Sequence, residues 1–141
     1  MKTPIPGPEP FFDSNILLYL LSADTAKADR AEELVAGGGV ISVQVLNEFA
    51  SVAVRKLGMT HGEIREVLAP IRAICRVEPL TLETHDQALR ISGRYGFSIY
   101  DALIVGAAQL AGCTRLYSED LQDGQLVDDG LVIVNPFTRS G

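Results

Sequence analysis

The sequence predicts an α/β fold in which helices cover both faces of a central parallel sheet. Short apolar runs alternate along the 141 residues with longer segments in which apolar residues recur at helical spacing. Such alternation is typical of parallel sheets, because parallel strands need a crossover connection that is usually a helix. A hydrophobic content of 47% is enough for one compact core and excludes a globally disordered chain.

The predicted strands share a short apolar run that ends at a polar residue or a turn. In chain order they are residues 10–12, 40–41, 75–77, 115–117 and 131–134. The first strand is followed at once by Asp13, and the last begins after a turn at residues 128–130. The first junction between a strand and a helix therefore carries an acid.

The predicted helices begin at polar residues that are favoured as N-caps. In chain order these residues are Ser14 or Asn15, Asp24, Ser42, Thr60, Thr84 and Ser98. Thr60 with Glu63, and Ser98 with Asp101, have the spacing of a capping box. The last helix, residues 102–111, is apolar on nearly every face, so we expect it to be central and buried.

Charge and cysteine usage narrow the class of protein. With 12 basic and 18 acidic residues the net charge is −6, which excludes an architectural protein that coats duplex DNA. Two cysteines, Cys75 and Cys113, form no disulfide framework, so a reducing cytoplasm is expected. The longest apolar runs are far shorter than the roughly 20 residues that a membrane span needs. We therefore expect no membrane association.

The N-terminus carries alternating prolines at positions 4, 6, 8 and 10. Alternating prolines favour an extended, poorly packed chain. We interpret residues 1–8 as a flexible Pro-rich lead and residues 9–141 as a single domain.

Four acids recur where an open parallel sheet gathers its ligands. They are Asp13 after the first strand, Glu48 in the helix after the second, Asp101 at the start of the buried helix, and Asp120 after the fourth strand. Ligands bind in the crevice beyond the carboxyl ends of such strands. Carboxylates that converge there repel one another unless cations bridge them, and oxygen ligands suit Mg²⁺ or Mn²⁺.

Each acid also has a structural interpretation when it is taken singly. Asp13 and Asp101 fit the N-termini of helices, where the macrodipole favours negative charge, and Asp120 fits a turn. Glu48 lies at the edge of the apolar stripe of its helix, so this interpretation suits it least.

Four segments together give the chain a resemblance to a known family. They are residues 12–19 (FDSNILLY), 42–49 (SVQVLNEF), 100–108 (YDALIVGAA) and 116–121 (LYSEDL). In this order and at these separations they resemble a PIN domain, in particular the VapC-like toxins, over residues 11–137. The resemblance implies a PIN-like three-layer fold with a central parallel sheet flanked by helices.

The resemblance also implies a site and a reaction. Asp13, Glu48, Asp101 and Asp120 would be the catalytic acids, with Asp13, Asp101 and Asp120 as ligands of Mg²⁺ or Mn²⁺. Ser14, Asn15 and Ser118 fall where the family uses polar residues to orient the pocket. Many relatives carry an acid three residues further along, here Asp123, which competes with Asp120 for one role; we favour Asp120 and interpret Glu119 as solvated. The activity implied is that of an endoribonuclease, a hydrolase that cleaves RNA with metal-activated water.

The partners implied are an RNA substrate and a cognate antitoxin of a type II toxin–antitoxin pair. We expect the antitoxin to place an arginine among the four acids, because a guanidinium forms paired hydrogen bonds with carboxylates. A homodimer is expected through residues 24–35 and 61–75, whose apolar side chains would otherwise be exposed.

Two other functions fit the composition. One is a catalytically silent PIN-like module that binds RNA or protein. The other is an aspartate-based phosphatase or phospho-receiver that uses Asp13, although this class requires a second acid where the chain has Ser14 and Asn15.

The remaining basic, histidine, cysteine and aromatic residues have separate expected roles. The candidates to hold an RNA strand are Arg55, Lys56, Arg94 and Arg115. Surface or capping roles are expected for His61 and His85, and burial for both cysteines. The aromatic residues Tyr95, Phe97 and Tyr100 are expected to pack in the core rather than stack on bases.

Overall fold

The computed structural model describes residues 8–137, which form one six-stranded sheet flanked by helices. The strands are β1 (Phe11–Phe12), β2 (Gly39–Ser42), β3 (Cys75–Glu78), β4 (Arg115–Tyr117), β5 (Leu126–Val127) and β6 (Leu131–Val134). The helices are α1 (Ser14–Tyr19), α2 (Thr25–Ala36), α3 (Val43–Leu57), α4 (His61–Ile74), α5 (Leu82–Tyr95) and α6 (Ile99–Leu110). The predicted α/β class is confirmed.

The strand order is β3-β2-β1-β4-β6-β5, and every neighbouring pair is parallel except β5 with β6. From β1 the chain first builds the sheet outward through β2 and β3. It then returns to the other side of β1 and continues through β4 and β6. The order therefore reverses between β1 and β4, and the crevice at such a reversal is where open parallel sheets bind ligands.

The core lies around β1 and α6. Phe11 and Phe12 are fully buried, and in β1 they are flanked by β2 on one side and β4 on the other. Helix α6 buries most of its length and contacts β2 and β4, as its apolar sequence predicts. Close packing also requires a glycine at position 39, because a Cβ there would lie 2.5 Å from the Phe12 ring and 2.7 Å from the Pro10 carbonyl oxygen.

Local capping signals account for several helix boundaries. The Ser42 side chain accepts from the Val45 N–H at the start of α3, and Thr60 with Glu63 forms the predicted capping box of α4. The prediction for α5 was wrong. Its N-cap is Thr81, and Thr84 lies within the first turn, where its hydroxyl accepts from the Thr81 N–H. Both threonines carry a hydroxyl that can cap a helix, and α5 begins after the first of them in the chain, Thr81.

Strand β5 is an addition to the predicted sheet. It pairs antiparallel with β6 across the turn at residues 128–130, so the sheet is mostly parallel rather than wholly so. Its two residues, one exposed and one buried, carry too short a pattern for a strand to be predicted from the sequence.

The apolar residues behind the dimer prediction are largely covered within the chain itself. Val35 and Ile64 are buried, and Leu34, Val67 and Leu68 are partly buried, since α2 and α4 contact each other. The homodimer through residues 24–35 and 61–75 stays a prediction, and the coverage of these side chains weakens the reason given for it.

The predicted Pro-rich lead lies outside the described residues except for Pro8, which is exposed. None of the helices between residues 8 and 137 has the length and apolar character that crossing a membrane requires.

Candidate active site

The reversal of strand order places Asp13 and Ser118 side by side. Asp13 follows β1 and Ser118 follows β4, and the two strands pair in parallel with Phe12 opposite Tyr117. The Asp13 N–H extends this pairing by donating to the Tyr117 carbonyl oxygen at 3.0 Å. The Ser118 hydroxyl donates to Asp13 Oδ2 at 2.7 Å. An acid and a hydroxyl thus meet at the crevice that the topology creates.

Asp13 is a buried carboxylate, only 3% exposed. Its Oδ1 accepts from the Ser14 N–H at 2.7 Å, as expected of an N-cap residue. The pKa of Asp13 is raised from 3.8 to about 6, chiefly because burial disfavours the charged form. Hydrogen bonds from Ser118 and Ser14 lower the pKa, whereas the negative charges of Glu48 and Asp120 raise it.

Asn15 connects Asp13 to Asp120. Its amide nitrogen lies 3.3 Å from Asp13 Oδ2 and 3.2 Å from Asp120 Oδ2. Its amide oxygen accepts from the Glu119 N–H at 3.1 Å. One buried side chain on α1 therefore holds the segment after β4 against the end of β1.

Glu48 faces the same site from α3. It is partly buried, and Gln44, one helical turn earlier, donates to its Oε2 at 3.0 Å. Burial raises the pKa of Glu48, and the charges of Asp101 and Asp120 raise it as well. Glu48 therefore lies within the electrostatic influence of acids from two other parts of the chain.

Asp101 lies in the first turn of α6, where its N–H donates to the Ser98 hydroxyl at 3.1 Å. This is the predicted capping arrangement. Its carboxylate is partly exposed and acts on Glu48 through its charge. The helix start thus satisfies a local hydrogen bond through the backbone and leaves the carboxylate to act on Glu48.

The donor chemistry of these four acids fits a hard divalent cation, because all are oxygen ligands. Burial raises the pKa of Asp13 and of Glu48, and the negative charges of neighbouring acids add to both increases. Over residues 8–137, however, no three Asp, Glu, His or Cys side chains are grouped closely enough to hold a metal ion as they stand. The structure gives the acids a common electrostatic environment rather than a finished ligand shell.

Asp123 is placed apart from this group. Its Oδ1 accepts from the Asn135 N–H at 2.8 Å, beyond the end of β6. Asp120, in contrast, accepts from Asn15 and borders the groove described next. Of the two competing acids, the structure brings Asp120 to Asp13.

A groove of about 540 Å³ leads away from the acids between α1 and α3. Its polar end is lined by Asn15, Glu48 and Asp120, and its far end by Arg55 and Lys56. No ion pair found among the described residues involves either of these two cations. They are therefore available to an anionic ligand.

The other two basic candidates do not line this groove. Arg94 pairs with Asp128 of the β5–β6 turn, with 3.4 Å between Arg94 Nη1 and Asp128 Oδ1. Arg115 begins β4, at the opposite end of the strand from Ser118, and donates to the Tyr117 hydroxyl at 2.8 Å. The residues next to Arg94 and Arg115 do not predict these positions, because the positions depend on strand direction and on pairing with distant residues.

Glu119 is not solvated as predicted. It accepts from Lys27 Nζ at 2.9 Å and from the Tyr19 hydroxyl. The Lys27 ammonium also lies 4.6 Å from the centre of the Tyr19 ring. This cluster ties α1 and α2 to the segment that carries Asp120, and no local sequence pattern predicts it, because its members are far apart in the chain.

The predictions for the cysteines, histidines and aromatic residues have different outcomes. Cys75 and Cys113 are buried, and burial raises the pKa of each thiol to about 11, as expected of inert cysteines. His61 and His85 are exposed near the starts of α4 and α5. Tyr95 and Phe97 pack together, but Tyr100 is 64% exposed, so its expected place in the core was wrong; this ring lies at the surface.

Comparisons with known proteins bear on the fold and the family. VapC20 of Mycobacterium tuberculosis, described as a sarcin-ricin loop cleaving toxin, has a TM-score of 0.64 at 24% identity, over 79% of this chain and 89% of that one. A toxin–antitoxin complex from Klebsiella pneumoniae gives 0.67 at 20% identity, over 91% and 98% of the two chains. VapBC2 from Rickettsia felis, bound to a DNA fragment from their promoter, gives 0.63 at 15% identity, over 88% and 96%.

At these identities the likeness establishes a shared fold. The comparison with curated protein sequences found no match. The PIN domain profile matches residues 11–122, a span that begins at β1 and includes all four acids. With most of the sequence matched and the fold in common, the chain belongs to the PIN domain family.

Proposed function

We propose that this protein is a metal-dependent endoribonuclease, the toxin of a type II toxin–antitoxin pair. The observation that carries the proposal is the electrostatic link among the four acids: the charges of Glu48 and Asp120 act on Asp13 at the end of β1, and the charge of Asp101 acts on Glu48. Membership of the PIN domain family and the fold shared with VapC20 support it. The buried position of Asp13 favours a ligand role over that of the phosphate acceptor of a receiver, which must be open to its donor.

The metal we assign to the site is Mg²⁺ or Mn²⁺, held by Asp13, Asp101 and Asp120. Such an ion would supply charge stabilisation for the phosphodiester and a nucleophile from water at neutral pH. Because the acids do not yet form a ligand group, binding would draw their side chains together. Ser14, Asn15 and Ser118 limit that movement, since each is buried and hydrogen-bonded to Asp13 or adjoins it.

Glu48 is the group we assign to proton transfer. Its raised pKa brings it closer to the operating pH, which favours general acid–base work. Gln44 occupies one of its carboxylate oxygens and fixes the orientation of the group. Arg55 and Lys56 would hold the flanking phosphates of the RNA in the adjoining groove.

The antitoxin is proposed to act at the same acids. Two of the similar structures are a toxin–antitoxin complex and VapBC2 on promoter DNA, which supports a protein partner for this chain. A guanidinium placed among four carboxylates would take the position of the metal. We expect the inhibition constant of such a partner to rise with Mn²⁺ concentration. An inhibition constant independent of Mn²⁺ would assign the partner to another surface.

The test is cleavage of total RNA by the purified protein with Mg²⁺, Mn²⁺ or EDTA. We expect cleavage with either metal, none with EDTA, and none by the Asp13→Asn or Asp101→Asn variants. Asp123→Asn is the matched control and should cleave like the wild type. A wild type that binds RNA but cleaves none with either metal would identify a catalytically silent PIN-like module.

A homodimer remains part of the proposal. Light scattering at micromolar concentration should report twice the chain mass of 15.2 kDa, and a value of 15.2 kDa would contradict it.

A further inference from the structure

Tyr100 borders a second cleft, which adjoins the groove described above along α3. The cleft has a volume of about 470 Å³, within the range of small-ligand sites. It is lined by Gln44, Asn47, Glu48, Ser51, Arg55 and Tyr100. Because Glu48 is one of the four acids, the cleft opens directly beside the proposed reaction centre.

Tyr100 differs from the other three tyrosines of the chain. Tyr19, Tyr95 and Tyr117 each hydrogen-bond a charged side chain: Glu119, Asp128 and Arg115 respectively. Across the part of the chain that the structure describes, the Tyr100 hydroxyl makes no hydrogen bond and its ring contacts no other ring or cation. With 64% of the residue exposed, a flat apolar surface faces the cleft without a partner.

Helix α3 lies along both the cleft and the groove. Glu48, Ser51 and Arg55 border both, since positions three, four and seven apart share one helix face. The Arg55 Nε donates to the Ser51 hydroxyl at 3.2 Å, which holds the guanidinium along this face. An RNA strand that crosses this face of α3 would pass from the groove into the cleft, with Arg55 at the point of crossing.

We propose that this cleft is a nucleobase subsite that determines which nucleotide lies next to the cleaved bond. One base of a single-stranded RNA stacks on the Tyr100 ring, and the amide of Asn47 contacts the edge of that base. Aromatic stacking requires an unpaired base, so the subsite selects single-stranded segments. An amide, which carries both donors and an acceptor, adds a preference among the four bases. This inference rests on the proposed ribonuclease function for its substrate class.

The test measures binding separately from cleavage. Fluorescence anisotropy with labelled eight-nucleotide RNAs of A, C, G or U, in EDTA, gives affinities for the wild type, Tyr100→Phe and Tyr100→Ala. Leu89→Ala, which shortens another exposed apolar side chain, is the matched control. We expect Tyr100→Ala to weaken binding about tenfold and Tyr100→Phe and Leu89→Ala to bind like the wild type. Asn47→Ala should change the order of preference among the four RNAs.

The outcomes separate this inference from the proposed function. Wild-type affinity in Tyr100→Ala, or no measurable binding of any RNA by the wild type, would overturn the subsite even if cleavage is observed. Stacking on Tyr100 without any cleavage in Mn²⁺ would support the subsite and contradict the nuclease. If Tyr100→Ala changes only the molecular mass seen by light scattering, the ring belongs to a protein interface and the subsite is wrong.

Discussion

The amide nitrogen of Asn15 lies 3.2 Å from Asp120 Oδ2, although the two residues are 105 positions apart in the chain. The same nitrogen lies 3.3 Å from Asp13 Oδ2. Two carboxylates that repel each other thus share one donor, and a third hydrogen bond, from the Glu119 N–H to the Asn15 oxygen, fixes the amide orientation. The arrangement keeps Asp13, near the start of the chain, close to Asp120, near its end, before any cation binds.

The burial of Asp13 predicts an unusual pH dependence of stability. Its pKa is about 6 in the folded chain against 3.8 ordinarily, so the folded state binds the proton more tightly. The free energy of unfolding should therefore fall as pH rises from about 4 to 6, by roughly 3 kcal/mol from this group. Asp13→Asn should remove that fall. Urea unfolding in EDTA at pH 4 to 7 measures it, and parallel curves for wild type and variant would contradict the prediction.

Metal binding should distinguish Asp120 from Asp123. Mn²⁺ should raise the melting temperature of the wild type, because a ligand that binds only the folded state stabilises it. The increase should vanish in Asp13→Asn, Asp101→Asn and Asp120→Asn, and persist in Asp123→Asn, whose side chain lies at the Asn135 N–H. Thermal melts with and without Mn²⁺ provide the measurement. Equal increases in all five proteins would mean that the acids have been assigned wrongly.

Arg55 and Lys56 should contribute to RNA affinity through phosphate contacts. Removing either should lower the slope of log affinity against log salt by about 0.7 for single-stranded RNA. Arg94→Ala and Arg115→Ala are the controls, because their side chains bond to Asp128 and Tyr117 within the protein. Anisotropy titrations at several salt concentrations measure the slopes. A control that changes the slope as much as Arg55→Ala would move the RNA path to another face.

Gly39→Ala should destabilise the fold by about 1–3 kcal/mol, because the new methyl group would lie 2.5 Å from the Phe12 ring in the packed core. Gly93→Ala is the matched control within α5. Apart from the backbone of its own helix and its two chain neighbours, no atom of the described residues lies within 4 Å of the added methyl group, so replacing this helical glycine should stabilise by roughly 0.5–1 kcal/mol. Urea unfolding of both variants tests the pair. Equal stability of Gly39→Ala and the wild type would show that β1 and β2 can separate at no cost.

The features predicted most accurately from the sequence are those whose interacting groups lie close together in the chain. Ser42 and Thr60 cap their helices as predicted, because each cap joins groups three residues apart. Residues 104–108 of α6 are buried as predicted, because this part of the helix offers no polar face. Thr81 was not predicted as the N-cap of α5, because Thr84 nearby is a competing capping residue. Strand β5 was not predicted, because a strand of two residues has no pattern of its own.

By itself, the sequence determined the α/β class and most element boundaries and picked out four candidate acids, since periodicity, caps and strand ends depend on adjacent residues. The tertiary structure decided which of these acids meet and which side chains remain exposed. Asp120 reaches Asp13 through Asn15, whereas Asp123 accepts from Asn135 after β6, and both outcomes depend on the strands that pair with β4. Tyr100 is exposed for the same physical reason: burial depends on which distant elements pack against a helix, and no local pattern carries that information.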